Sequence, residues 1–264
     1  VVDGPFLDVP GVPPVDKPKA WGWLGLAVGG FLAGQILATI FLAIGAAVAH
    51  RKLTVVASLA EPPTWAILLQ LLGIWCGFAV APWAASALAG TKRFFLDLGV
   101  RFRLVDVAGI LVGLGGQLVV IALYAPFLTK SSHFDAPTKK LTGASHGVGF
   151  FFVALGTIFV APVLEELFFR GLLFKSLARL FTPSGGGRGA ARAAGITGAV
   201  ILDGVLFGLA HGEWLQLPGL ALFGMALAFI SYRTGRLGMN MVAHASFNAT
   251  AIVGLLLAGG GVVH

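Results

Sequence analysis

The stretch 161–174, APVLEELFFRGLLF, sets Glu165, Glu166 and Arg170 into a run that is otherwise almost wholly apolar. In FGLAH, His211 follows Phe207 by four residues, and in HASFN, Asn248 follows His244 by four. Residues four apart share one face of a helix. Glu166 and Arg170 can therefore pair. Glu165 is rotated about 100° away and has no such partner on its own helix. This suggests a division of labour, with Glu166 and Arg170 as a structural clamp and Glu165 as the reactive group, a general base. The competing reading is that all three form one buried ion network that only fixes helix packing.

Two histidines, an asparagine and a spare glutamate on three separate apolar runs describe a pocket inside a helix bundle. The chemistry that fits is hydrolysis. Glu165 with His211 can hold and activate a water, and His244 with the Asn248 amide can donate to a tetrahedral oxyanion. Ser246 points about 200° away from His244, which argues against a serine nucleophile. Glu165, His211 and His244 would also make a His₂Glu set like a catalytic zinc site. The chain has no HExxH, so the expectation is a site without metal or other cofactor, with the zinc metalloprotease as an alternative.

These residues need elements to position them, and composition says what kind. The 264 residues are 57% hydrophobic and only 11% charged. A soluble domain carries about a quarter charged residues. Such a chain is suited to lipid, where backbone groups must be satisfied within helices. Apolar runs cover 21–49, 65–89, 105–128, 147–163 continuing to 181, 194–211, 215–234 and 238–258. Each is long enough, or nearly so, to cross about 30 Å of hydrocarbon. The expected fold is all-α, a polytopic bundle of seven transmembrane helices, or eight if Pro162 divides the fourth run. Residues 1–20 read as a Pro-rich tail, 21–128 as scaffold spans and 147–258 as the catalytic part of one membrane domain.

The 38 glycines fit close helix packing. Gly25, Gly29, Gly30 and Gly34 form two small-xxx-small pairs in the first span, and Gly109 and Gly113 another in the third. Cys76 is the only cysteine, so no intrachain disulfide forms. The net charge of +7 comes without any aromatic–basic readout motif, so nucleic acid is not an expected partner. Lys92, Arg93, Arg101 and Arg103 alternate with Phe94, Phe95 and Phe102 over 90–104, as in an amphipathic stretch at the headgroups. With seven spans, Lys17, Lys19, the 90–104 residues, Lys175, Arg179, Arg188, Arg192, Arg233 and Arg236 fall on one side. Arg51, Lys52, Lys130, Lys139 and Lys140 fall on the other. The richer side is expected to be cytoplasmic, with the N-terminus inside a cell membrane. Nothing in the sequence sets the oligomeric state.

The motifs EELFFR (Glu165, Glu166, Arg170), FGLAH (Phe207, His211) and HASFN (His244, Asn248) resemble, in order and spacing, the EExxxR, FxxxH and HxxxN/D motifs of the CAAX prenyl protease and bacteriocin-processing (ABI) family. These are membrane-embedded glutamate-dependent endopeptidases. The likeness covers about 147–255 and includes the run YRTGRLGMNMVAHA. It implies Glu165 as the water-activating base, His211 as its assistant, and His244 and Asn248 at the oxyanion. It also implies metal-independent cleavage of a membrane-associated or lipidated peptide or protein tail. The Ala/Gly-rich composition reads as bacterial. Asp203 departs from the family's pattern at a place where a small or hydroxyl residue is expected.

A non-catalytic membrane scaffold or immunity-type subunit of the same fold is the rival from another class. A transporter using the charges as a relay is a further one, though no inverted repeat supports it. One geometric question stays open. With simple spans, His211 ends span five on the side opposite to the start of span seven, where His244 sits. To share a site, span five must be tilted or set deep, or HGEWLQLPG must dip back into the bundle.

Overall fold

The computed structural model describes residues 17–59, 61–127, 147–183 and 189–257. Most of the Pro-rich tail, and Lys130, Lys139, Lys140 and Arg188, lie outside the described residues. Among the described residues every regular element is helical.

Helix α1 (Lys17–Val48) begins within the expected tail. A single-turn α2 (Leu53–Ala57) leads to α3 (Thr64–Ala89), which packs along α1. That pairing is close because Gly30 and Gly34 face Gly73, Ile74, Gly77 and Ala81, where a Cβ on Gly30 would come within 2.4 Å of the Ala81 Cβ. Gly25 and Gly29 correct the expectation: nothing lies within 4 Å of where their Cβ atoms would be. They fall on another face of α1, because i and i+4 are not aligned with i+5 and i+9.

The 90–104 segment follows the amphipathic pattern only in part. Only α4 (Phe94–Leu98) is helical, and Gly99 ends it with φ 80°. Phe95 and Phe102 are exposed as expected, but Asp97 is buried. Its carboxylate accepts from Ser86 Oγ (2.6 Å), Thr91 Oγ1 (2.5 Å) and Thr91 N (2.9 Å). A charge that ties the segment to α3 pulls it out of the amphipathic pattern.

A 3₁₀ turn (Leu104–Ala108) enters α5 (Gly109–Tyr124). Gly109 and Gly113 lie against the backbone of the last helix, as small residues in a membrane bundle allow. The next helix, α6, is one unbroken rod from Gly147–Leu155 to Lys175–Phe181. Two of its segments, Gly156–Val160 and Leu167–Phe174, widen to π-helical bonding. Pro162 therefore does not split the run. It stands in the first turn after the upper π segment, where a missing N–H is tolerated.

Helices α7 (Ala190–Ala210) and α8 (Leu217–Thr234) form an antiparallel hairpin, and α9 (Gly238–Leu257) closes the bundle against α5. Among the described residues six helices are long and apolar enough to cross a membrane: α1, α3, α5 with its 3₁₀ turn, α6, α7 and α8. The seventh expected span, α9, has 20 residues. The chain is an all-α, multi-pass membrane protein. Arg236 fixes the α8–α9 turn to the start of α5 through Asp106, with Nη2 at 2.7 Å and Nε at 3.1 Å from Oδ1.

Candidate active site

The lower π segment of α6 carries a wholly buried ion cluster. Arg170 Nη1 donates to Glu166 Oε1 at 2.9 Å, and Nη2 donates to the Gly224 carbonyl of α8 at 3.0 Å. Arg170 Nε lies 3.3 Å from Asp203 Oδ2 on α7. Asp203 is thus an ion partner of the clamp's cation. The guanidinium stacks over Phe207 at 4.4 Å from the ring centre. Phe207 is fully buried, and its ring also meets His211 and His244 edge-on at 4.8 and 5.5 Å. One ring thereby packs against the guanidinium and both imidazoles.

Glu166 does more than pair with Arg170. The same Oε1 accepts from His244 Nδ1 at 2.9 Å. With its proton on Nδ1, the ring presents Nε2 outward. That atom faces Glu165 Oε2 at 3.6 Å. His211 is arranged in the same way by different means. Its Nδ1 donates to the Phe207 carbonyl one turn back at 2.8 Å, and its Nε2 lies 4.0 Å from the same Glu165 oxygen. Gly212, at φ 68°, ends α7 directly after His211. Glu165 is 16% exposed and His211 33%, whereas His244 is almost closed off at 3%. Glu165 Oε2 has no hydrogen-bond partner within the protein.

Two imidazoles pinned through Nδ1 and a carboxylate oxygen between their Nε2 atoms make a set that can orient a water, move a proton and donate to a developing charge. Among the described residues no group of three His, Cys, Asp or Glu is disposed to hold a metal ion.

The depth question has a register answer. Gly195 sits so close to Phe181 that a Cβ would come 2.5 Å from its carbonyl oxygen. From that contact, equal numbers of residues lead back along α6 to Glu165 and forward along α7 to His211. The α7–α8 hairpin thereby brings His211 level with Glu165, with His211 Nε2 4.0 Å from Glu165 Oε2. His244 approaches from the other direction, two turns into α9.

Asn248 stands one turn beyond His244. Its Nδ2 donates to the Thr157 carbonyl at 2.9 Å, in the upper π segment. One amide hydrogen is thereby used, and an amide carries two. Ser246 points away, as expected, and donates to the Ile110 carbonyl of α5.

One participant escaped the sequence reading. Asn240 is wholly buried, and its Nδ2 lies 3.1 Å from Glu166 Oε2 and 2.8 Å from both Leu227 O and Ser231 Oγ on α8. The signal was present: Asn240 precedes His244 by four residues, on the stripe that continues to Asn248.

Fold and site together define a polytopic membrane protein with a partly buried Glu/His/Asn cluster between its helices. Residues 147–250 match the family model described as "Rce1-like: Type II CAAX prenyl endopeptidase Rce1-like", so this part of the chain is similar to the CAAX-type endopeptidases. No curated protein and no solved structure gives a match.

Proposed function

We propose that the protein is an intramembrane endopeptidase in which Glu165 and His211 activate a water and His244 and Asn248 receive the oxyanion. The observation that carries this reading is the convergence of two Nδ1-pinned imidazoles on one Glu165 oxygen. Water seated there gives a proton to Glu165 as its oxygen bonds to the scissile carbonyl carbon. The carbonyl oxygen takes up the negative charge, facing His244 Nε2, when that nitrogen is protonated, and the second Asn248 amide hydrogen. The C–N bond then breaks, and the proton held by Glu165 passes to the departing amine. No cofactor is needed in this scheme.

The substrate in this proposal is a membrane-associated or lipidated peptide tail, reached from within the bilayer. The loop charges support a cell-membrane protein with a cytoplasmic N-terminus. A peptide library anchored in detergent micelles, with and without a prenyl group, tests the activity. Cleavage by the wild type and its loss in Glu165→Gln are expected. Equal turnover by both proteins would overturn the assignment and return the cluster to the scaffold reading.

A further inference from the structure

We propose that Asn240 is a positioning residue: it fixes the rotation of the Glu166 carboxylate so that Oε1, and not Oε2, meets His244 Nδ1. The inference builds on the peptidase reading above, because it concerns the residue that aims His244.

The geometry separates the two oxygens of Glu166. Oε1 takes both Arg170 Nη1 and His244 Nδ1, each at 2.9 Å. Oε2 takes Asn240 Nδ2 at 3.1 Å. A carboxylate held through one oxygen can turn about its terminal bond, a soft and broad torsion. A donor on the second oxygen removes that freedom. The carboxylate plane then has one orientation, and the imidazole that leans on it has one tautomer and one direction.

Asn240 is suited to this because it is itself immobilised. It is wholly buried, and its amide nitrogen is also 2.8 Å from the Leu227 carbonyl and from Ser231 Oγ. Leu227 O and the ionised Glu166 oxygen can only accept, so the NH₂ end must face them. Ser231 and Leu227 belong to α8, Glu166 to α6 and Asn240 to α9. One side chain thereby joins three helices at the carboxylate that orients His244.

A purely structural asparagine would stabilise the bundle without affecting the ring. A positioning asparagine acts through His244, and that difference can be measured. The first readout needs no substrate. With ¹⁵N-labelled histidine in nanodiscs, the signal of His244 is identified by its absence in His244→Ala. Wild type should show a protected Nδ1–H. Asn240→Asp keeps the shape of the side chain but turns a donor into an acceptor, and Asn240→Ala removes it. Both should lose or broaden that signal.

The second readout is kinetic. Asn240→Ala should lower kcat about 10- to 100-fold with KM within about twofold, as loss of a group that orients a functional histidine does in metal sites. In a His244→Ala background the same change should cost no more than about twofold, because its effect runs through a ring that is gone. An unchanged Nδ1–H signal in both variants overturns the proposal. So does a full, additive loss in the His244→Ala background. If the wild type shows no Glu165-dependent turnover, the peptidase reading fails by itself, and the histidine signal still decides the role of Asn240. If Asn240→Ala does not fold, Asn240→Asp carries both readouts.

Discussion

Glu165 and Glu166 address opposite nitrogens of one imidazole: Glu166 Oε1 lies 2.9 Å from His244 Nδ1, and Glu165 Oε2 lies 3.6 Å from His244 Nε2. Adjacent residues on a helix point about 100° apart, so both reach the same ring only because it stands between their faces. Their surroundings differ as much as their directions. Glu166 is fully buried among fixed donors, and Glu165 is partly open.

The two glutamates should therefore fail in different ways. Glu165→Gln is expected to reduce turnover about 100- to 10,000-fold, the range of general acid–base catalysis, while the melting temperature in detergent stays near wild type. Glu166→Gln should lower the melting temperature, since breaking a buried pair costs about 3–5 kcal/mol in soluble proteins. Matching melting curves for the two variants would remove the clamp from the account.

Asn248→Ala should reduce kcat about 100- to 1000-fold with little change in KM, and His244→Ala likewise. The double variant should fall short of the product of the two, because both donors serve one oxygen. Weakened substrate affinity at full turnover would instead assign Asn248 to recognition, and its bond to Thr157 would then matter as a brace for the upper π segment.

Treatment with a chelator should leave activity intact. Glu165, His211 and His244 are also the right types for a His₂Glu zinc site. Loss of turnover that added zinc restores would establish the metalloprotease alternative.

Sidedness is open to a direct check. The basic residues of the α3–α5 and α8–α9 connections lie at one end of the bundle, and the hairpin tip with Trp214, 80% exposed, lies at the other. In a Cys76→Ala background, Arg101→Cys should react with an impermeant maleimide from the cytoplasmic side of sealed vesicles, and Trp214→Cys from the opposite side. Labelling of both from the same side would refute a helical hairpin of this depth, and a reversed pattern would refute the charge-based orientation.

The sequence made local relations readable. Glu166 and Arg170 pair as their spacing of four requires, and Phe207 and His211 touch for the same reason. Relations between helices were harder to see. That His211 reaches the Glu165 oxygen depends on where α7 starts beside Phe181, a contact between backbones that no side-chain pattern records. The π segments were also hidden, because Pro162 suggests a break, whereas the helix absorbs it by widening. Gly25 and Gly29 show the opposite error. A small-residue spacing is necessary for close packing, but it does not say which face another helix will occupy. Asn240 lies on the same stripe one turn before His244, but an asparagine in an apolar run does not by itself reveal which carboxylate on another helix it meets.

The matched lengths of α6 and α7 on either side of the Phe181–Gly195 contact act as the two arms of a caliper, with Glu165 and His211 at the tips. Lengthening or shortening the segment between 183 and 189 leaves the tips opposed. A single residue added between 195 and 211 would carry His211 about 1.5 Å past Glu165 and swing it about 100° around α7. The two arms are thus the stretches in which a single inserted residue displaces one side of the site from the other.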